Sequence, residues 1–341
     1  MKFGILRYPH HNRRYHEATR SLLECEFGIV TVAMDMKVTS PAYETMAGLE
    51  LYTFEVEALS SIAQRALHVL SSNFVLFRVL PDSLIPFNEN RATYFQSDIS
   101  GILKYSGKTN ERFTSLMLNV GIFSSDFARE FDSPLTVFDP MCGRGTTLYE
   151  GLIAGYHVSG MEIRRNECPE INNYLKRYFK FHRFKHTATT QTIRPDGRKS
   201  STLYTIETAN TTEAFKEGDR RRIQFAEGDT RFSHQVFKKN SVHVIASDLP
   251  YGVQHKKALN NGDGALASLL GEAAQSWFPL LREGGTVVLA HNTHSITRER
   301  LAELFEAGGY RVLTGGHYEN FEHWVEQAVR RDLFVAKKVG T

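Results

Sequence analysis

Asp139-Pro140-Met141-Cys142-Gly143-Arg144-Gly145-Thr146-Thr147 has the composition of a ligand loop. Two glycines one residue apart let a backbone turn tightly and approach a bound molecule closely. An acid stands before them, and Thr146 and Thr147 lead out. Seventeen residues beyond Gly145 comes a second acid, Glu162. At that distance an acid can accept hydrogen bonds from a ribose diol. A third acid, Asp229, follows the apolar run 223–226 and could reach an adenine edge. About a hundred residues after Asp139 lies Ser247-Asp248-Leu249-Pro250-Tyr251-Gly252, an acid and an aromatic side chain around a proline.

The elements that would position these groups are regular. Residues 135–138 read as a short buried strand with Asp139 at its carboxyl end. Leu148, Leu152 and Ile153 give the apolar face of a helix, Gly155 its cap, and residues 157–161 a second strand ending in Glu162. In open α/β sheets a glycine loop between strand and helix is where a nucleotide-like ligand sits. A third strand spans 223–226, a fourth 242–247 and a fifth 286–290. Helices are predicted over 266–281 and 296–307, with further strands at 311–314 and 332–337.

Asp-Pro-x-Cys-Gly-x-Gly-Thr at 139–146 and Asp-Leu-Pro-Tyr-Gly at 248–252, in that order, resemble the class I S-adenosylmethionine-dependent methyltransferases. More narrowly they resemble the THUMP-associated tRNA guanine-N2 methyltransferases. The likeness runs from about residue 105 to the end of the chain. It implies a seven-stranded Rossmann-like α/β sheet whose last strand is antiparallel between the fifth and sixth, with a smaller N-terminal α/β domain before it. It also implies S-adenosyl-L-methionine as cofactor, held by Asp139, Pro140, Cys142, Gly143, Gly145, Thr146, Glu162, Asp229 and Asp248.

The catalytic group carried over from the resemblance is Asp248, Leu249, Pro250 and Tyr251. The lone pair of an exocyclic amine is delocalised into its ring. The Asp248 carboxylate and the Leu249 carbonyl, aimed at the two N–H bonds, would favour rehybridisation as the methyl arrives. Pro250 restricts the backbone so that this carbonyl can point inward, and Tyr251 would stack on the base. Three functions compete. The first is N2-methylation of guanosine in RNA, above all tRNA. The second is amino-methylation of DNA at adenine N6 or cytosine N4, against which stands the lack of a large target-recognition domain. The third is a cofactor-binding RNA-binding protein without turnover. A small activator subunit or a homodimer stays open.

Composition narrows the field. The 341 residues are 41% apolar and 23% charged, as in a folded domain or two, and no run of about 18 apolar residues is available to span a membrane. The first twenty residues lack the apolar core of a secretory signal, so a cytoplasmic protein is expected. Three scattered cysteines suit neither a disulfide framework nor a zinc site, and Cys142 reads as a small residue packed beside the cofactor. Net charge is only +3, yet residues 164–199 hold ten Lys or Arg against three acids, a net of +7 that leaves −4 for the rest. Within this segment Ile171, Tyr174, Leu175, Tyr178 and Phe179 mark the buried stripe of a helix. Lys176, Lys180 and Arg183 form a positive ridge on another face, assigned to phosphate contact.

Residues 1–104 are expected to form the separate N-terminal domain, either an RNA adaptor or a packing module. Lys2–Arg7 and 73–80 read as strands, 17–25 and 56–70 as helices, and 28–36 as a half-buried strand from Val30, Val32 and Met34. Arg7, His10, His11, Arg13, Arg14 and Arg20 supply the positive charge of the adaptor reading. Residues 105–341 make the methyltransferase domain, with a basic hairpin inserted at about 187–217. Phe113 is a pocket wall or core. Residues 254–264 read as a mobile lid, and Trp324, among Tyr318, Phe321 and His323, as a stacking surface.

Overall fold

Two sheets share one apolar layer. The computed structural model describes residues 1–10, 13–87, 93–102, 108–194, 201–250, 263–326 and 329–340, with backbone alone at 13–15, 263 and 326. Tyr251, the loop 251–262 and the hairpin tip 195–200 lie outside the described residues, as do His11 and the side chains of Arg13 and Arg14.

The N-terminal part runs β1 (Lys2–Arg7), α1 (Arg13–Ala33), β2 (Val38–Met46), β3 (Leu49–Val56), α2 (Ser61–His68), β4 (Asn73–Leu80) and β5 (Ser83–Pro86). Its strands form an antiparallel sheet in the order β2-β3-β1-β4-β5. Two expectations fail here. Residues 28–33 continue α1 rather than forming a strand: Val30 and Met34 are buried, but Val32 between them is 69% exposed. Burial four residues apart is the helical period, whereas a strand would bury all three. The second helix begins only at Ser61, where the Ser60 side chain accepts from the Ala63 N–H, and Val56 ends β3 instead.

After α3 (Asp98–Gly101) comes α4 (Glu111–Ser124), capped by Asn110, whose side chain accepts from the N–H groups of Arg112 (2.9 Å) and Phe113 (3.3 Å). The chain continues through β6 (Thr136–Asp139), α5 (Thr146–Ile153), β7 (His157–Glu162), α6 (Glu167–Phe181), β8 (His186–Ile193), β9 (Ser201–Thr208), α7 (Thr212–Glu217) and β10 (Arg221–Glu227). It ends with β11 (Val242–Asp248), α8 (Asp263–Trp277), β12 (Leu281–Asn292), α9 (Arg298–Ala307), β13 (Tyr310–Val312), β14 (His323–Glu326) and β15 (Val329–Lys338).

All seven expected strands are present, in the order β13-β15-β12-β11-β6-β7-β10. From β12 to β10 neighbouring strands are parallel, and β15 runs antiparallel between β12 and β13. This is the class I methyltransferase order. The inserted hairpin does not stand apart from it: β9 pairs antiparallel with β10 and β8 with β9, and β14 pairs with β15, which brings the sheet to ten strands. An open edge at β10 offers unpaired N–H and C=O groups, and a β-rich hairpin next to it in sequence satisfies them.

On one face α4 lies close against β11 and β12. A Cβ at Gly121 would stand 2.6 Å from Val244 Cγ1, so only glycine permits this approach. The outer side of α4 meets α1. Glu26 of α1, fully buried, accepts from the Ser71 N–H and hydroxyl and from Asn119 Nδ2 of α4 at 2.6–2.9 Å. The apolar cluster is continuous from Phe3 and Phe54 of the first sheet to Val244 and Val288 of the second. On the opposite face α8 and α9 cover the sheet around Trp277 and Phe305.

Candidate active site

At the carboxyl edge of the parallel strands the glycine loop is tied down by its own neighbours. Asp139, 3% exposed, ends β6, and its Oδ1 accepts from the Met141 N–H (3.1 Å) and the Ser247 hydroxyl (2.8 Å), with Thr147 also donating. Burial nevertheless raises its pKa to about 6. Gly145 caps α5 with φ of +90°, and Gly143 has φ of +50°. Both values disfavour any side chain. Among the described residues nothing lies within 4 Å of the place a Cβ would take on Gly143 except Arg164 Nη2 at 4.0 Å.

Glu162, at the end of β7, reaches back to this loop. Its Oε2 accepts from the Gly143 N–H (2.9 Å), and its Oε1 from the Arg164 N–H (2.9 Å) and Nε (3.3 Å). The Gly228 N–H donates to the Glu162 backbone oxygen (2.9 Å) and joins the end of β10 to the same point. Asp229 sits next to it, gripped by both arms of Arg231, which also reaches Glu272. Cys142 is buried with its thiol pKa pushed well up by desolvation, as a packed small residue should be, and its Sγ occupies the space over Gly160. Pro140 and the buried Thr146 complete the turn into α5.

Asp248 ends β11, one residue past Ser247, and Ser247 binds Asp139 of the adjacent strand. The sheet therefore sets Asp248 beside the glycine loop. Its Oδ2 accepts from the Thr109 hydroxyl at 2.5 Å, and an Arg331 guanidinium nitrogen lies 3.6 Å from the same oxygen. Arg331 is buried and lies over the Phe113 ring at 4.4 Å, with His323 against that ring at 5.3 Å. Burial drives the His323 pKa down to about 4, so this imidazole is neutral near pH 7. Next along β15, Asp332 accepts both arms of Arg298 (2.7–3.0 Å), and His291 Nε2 stands 3.8 Å away. Leu249 is buried, its N–H donating to Ala290 O. Pro250 follows it, half-buried.

The sequence-derived residues thus divide by place. Asp139, Gly143, Gly145, Glu162, Asp229, Asp248 and Leu249 gather along one edge. Trp324, 38% exposed, is on that side too, because its neighbour His323 is in register with Arg331. Lys176, Lys180 and Arg183 do not join them. They are exposed and pair with no described carboxylate, but α6 carries them back towards the amino end of the strands, Lys180 about 20 Å along the helix from Glu167. Arg7 is buried and Arg20 half-buried, and both bind Glu50. Thr109, Arg331, Arg298 and Asp332 carry no sequence signal, since their partners are distant in the chain.

The donors and acceptors present fit S-adenosylmethionine. The glycine loop at Gly143 and Gly145, the carboxylate of Glu162, which could accept from ribose hydroxyls, and the acid of Asp229 at the end of the next strand follow one another along the edge. Strand order and glycine loop define a class I S-adenosylmethionine-dependent methyltransferase. Residues 130–317, more than half of the chain, match the family model described as RMKL-like, methyltransferase domain, and the chain belongs to that family.

Among curated proteins none is similar enough in sequence to count as a match. Solved structures similar to it include TrmN from Thermus thermophilus, at 16% identity and TM-score 0.41, covering 75% of this chain and 56% of that one. PH1948 from Pyrococcus horikoshii, assigned provisionally as an RNA methyltransferase, is 13% identical with TM-score 0.39, covering 71% and 95%. An S-adenosylmethionine-dependent methyltransferase from Methanosarcina mazei is 10% identical with TM-score 0.38, covering 63% and 98%. The chain spans little more than half the length of the TrmN structure. Among the described residues no helix is long and apolar enough to cross a membrane, and no cluster of His, Cys, Asp or Glu is arranged to hold a metal.

Proposed function

We propose that the protein methylates an exocyclic amine of a nucleobase in RNA, with N2 of a guanosine in tRNA as the target. The observation that carries this reading is the position of Asp248, one residue beyond the Ser247 that hydrogen-bonds Asp139 at 2.8 Å, so that an acceptor for an amine adjoins the cofactor loop. The cofactor supplies a sulfonium methyl that needs no further activation. What the chain must do is position the amine and draw on its N–H bonds. Asp248 accepts one N–H, the Leu249 carbonyl the other, and the base is held by Tyr251. Thr109 fixes the carboxylate rotamer, and the Arg331 guanidinium 3.6 Å away supplies a positive charge beside it.

RNA is favoured over DNA by the likeness of Asp-Leu-Pro-Tyr-Gly to the RNA group, and the ridge Lys176, Lys180 and Arg183 is assigned to phosphate contact. Guanosine N2 rests on the same motif. Residues 1–104 take the role of an accessory part of the substrate site. Nucleoside mass spectrometry of tRNA from a deletion strain, beside single-turnover transfer of labelled methyl to that tRNA, tests the reading. Loss and restoration of N2-methylguanosine is the expected result. Restoration of N6-methyladenine or N4-methylcytosine in DNA would replace it.

A further inference from the structure

Beside α4 the N-terminal part builds a ledge that none of the motifs accounts for. Tyr8, just past β1 and fixed by its N–H to Ser72 O (3.0 Å), has the Arg112 guanidinium lying 3.4 Å over its ring. Arg112 is exposed, and no described carboxylate pairs with it. Behind the two is a cavity of about 200 Å³ whose lining includes Tyr8, Leu22, Ser72, Asn110 and Phe113. That volume is below the roughly 300 Å³ at which pockets enclose whole ligands, and it suits one planar ring system. The Ser72 hydroxyl makes no hydrogen bond among the described residues.

The ledge adjoins the catalytic acid by two routes. Asn110, on the cavity wall, follows Thr109, the residue that binds Asp248. Phe113, on the same wall, carries the Arg331 that stands 3.6 Å from Asp248. The wall is also preformed, because the buried Glu26 joins Ser71 to Asn119 of α4. Flat apolar walls and a guanidinium plane take a nucleobase by stacking, and an unpaired cation at the rim takes its phosphate.

Resting on the RNA reading above, we propose that the Tyr8–Arg112 ledge and its cavity hold the base that flanks the methylated nucleotide, in a single-stranded or looped segment. The methylated base itself must reach Asp248 and cannot occupy this place. The N-terminal part is then a wall of the substrate site.

The test is single-turnover methyl transfer to unmodified tRNA by the full chain and by Tyr8→Ala, Tyr8→Phe and Arg112→Ala, with calorimetric S-adenosylmethionine affinity and thermal midpoints alongside. Either Ala variant should weaken RNA binding by roughly tenfold or more, while the rate at saturating RNA changes about two- to threefold at most. Arg112→Ala should also flatten the salt dependence of log K by about 0.7. Tyr8→Phe, which keeps the ring, should behave as wild type, and cofactor affinity should hold in all three. Unchanged RNA affinity in both Ala variants of an enzyme that does methylate RNA overturns the ledge and leaves the RNA reading standing. A parallel fall in cofactor affinity or thermal midpoint makes the pair structural and also overturns it. A wild-type protein that methylates no RNA overturns both.

Discussion

The two halves of the active edge are built in different ways. Around the glycine loop most ties are local: Gly143 to Glu162 spans 19 residues, Arg164 to Glu162 two, and Arg231 to Asp229 two, while the Ser247 hydroxyl on Asp139 spans 108. Around Asp248 each tie is long: 139 residues to Thr109, and a separate strand for Arg331. The glycine-loop half rests mainly on one strand-loop-helix-strand unit. The Asp248 half is in place only when β11, β15 and the start of α4 have assembled, so, on the proposed reading, damage to distant packing should reach catalysis before it reaches cofactor binding.

The sharpest way to break this comparison is at Asp248. Asp248→Ala should lower kcat roughly a hundred- to a thousandfold, by analogy with removing one preorganised hydrogen-bonding group, with far smaller effects on binding of either substrate. Asp248→Asn, whose amide oxygen still accepts, should retain more. Full activity in the Ala variant, read by single-turnover methyl transfer, would leave the two halves without their functional difference. Glu162→Ala should do the reverse, weakening cofactor binding roughly ten- to a hundredfold through loss of charge-assisted hydrogen bonds. Calorimetry is the measurement, and an unchanged affinity in a folded variant removes Glu162 from the cofactor site.

Thr109→Val sharpens the contrast. It keeps the shape but withdraws one hydrogen bond to a charged acceptor, and kcat should fall about tenfold with cofactor affinity intact, while Thr109→Ser restores the rate. If Ser fails where Val fails, Thr109 acts by packing. The smallest effect is expected from the ridge, which lies away from both halves. Joint replacement of Lys176, Lys180 and Arg183 by Ala should leave kcat alone and flatten the salt dependence of RNA binding by about 0.7 to 0.9 per lost contact. An identical salt slope returns the ridge to a solvated face.

The same contrast governs what could be read from the chain alone. Strands, glycine loop, Glu162 and Asp248 were legible because period, spacing and turn chemistry are local. The hairpin β2–β3 was missed although Ala47-Gly48, with φ of +49° and +77°, is its two-residue turn, because alanine there gives no turn signal. Val30, Val32 and Met34 suggested a strand because three apolar residues at alternate positions are too few to separate period 2 from 3.6. Joining of β8 and β9 to the sheet depended on an open edge at β10 that no local pattern announces. Thr109 and Arg331 were brought to Asp248 only through folding. Tyr251 stands in the motif and lies outside the described residues.

Asp139 carries a further consequence. Its pKa lies near 6 in the fold and near 3.8 in an open chain. Below about pH 3 the carboxyl is protonated in both states. As pH rises from about 4 to 6 the unfolded chain ionises while the folded carboxyl keeps its proton, so folding loses up to about 3 kcal/mol, and above pH 6 the loss is complete. An Asp139→Asn chain should lose that slope and melt higher at pH 7 when no cofactor is present. The native sequence thus trades heat resistance for a fixed negative charge under the ligand loop. A sulfonium-bearing ligand bound at the loop would offset that charge, so its protection against melting should grow from pH 4 to pH 7, and the heat resistance this one carboxylate gives up in the empty protein would return when the ligand binds.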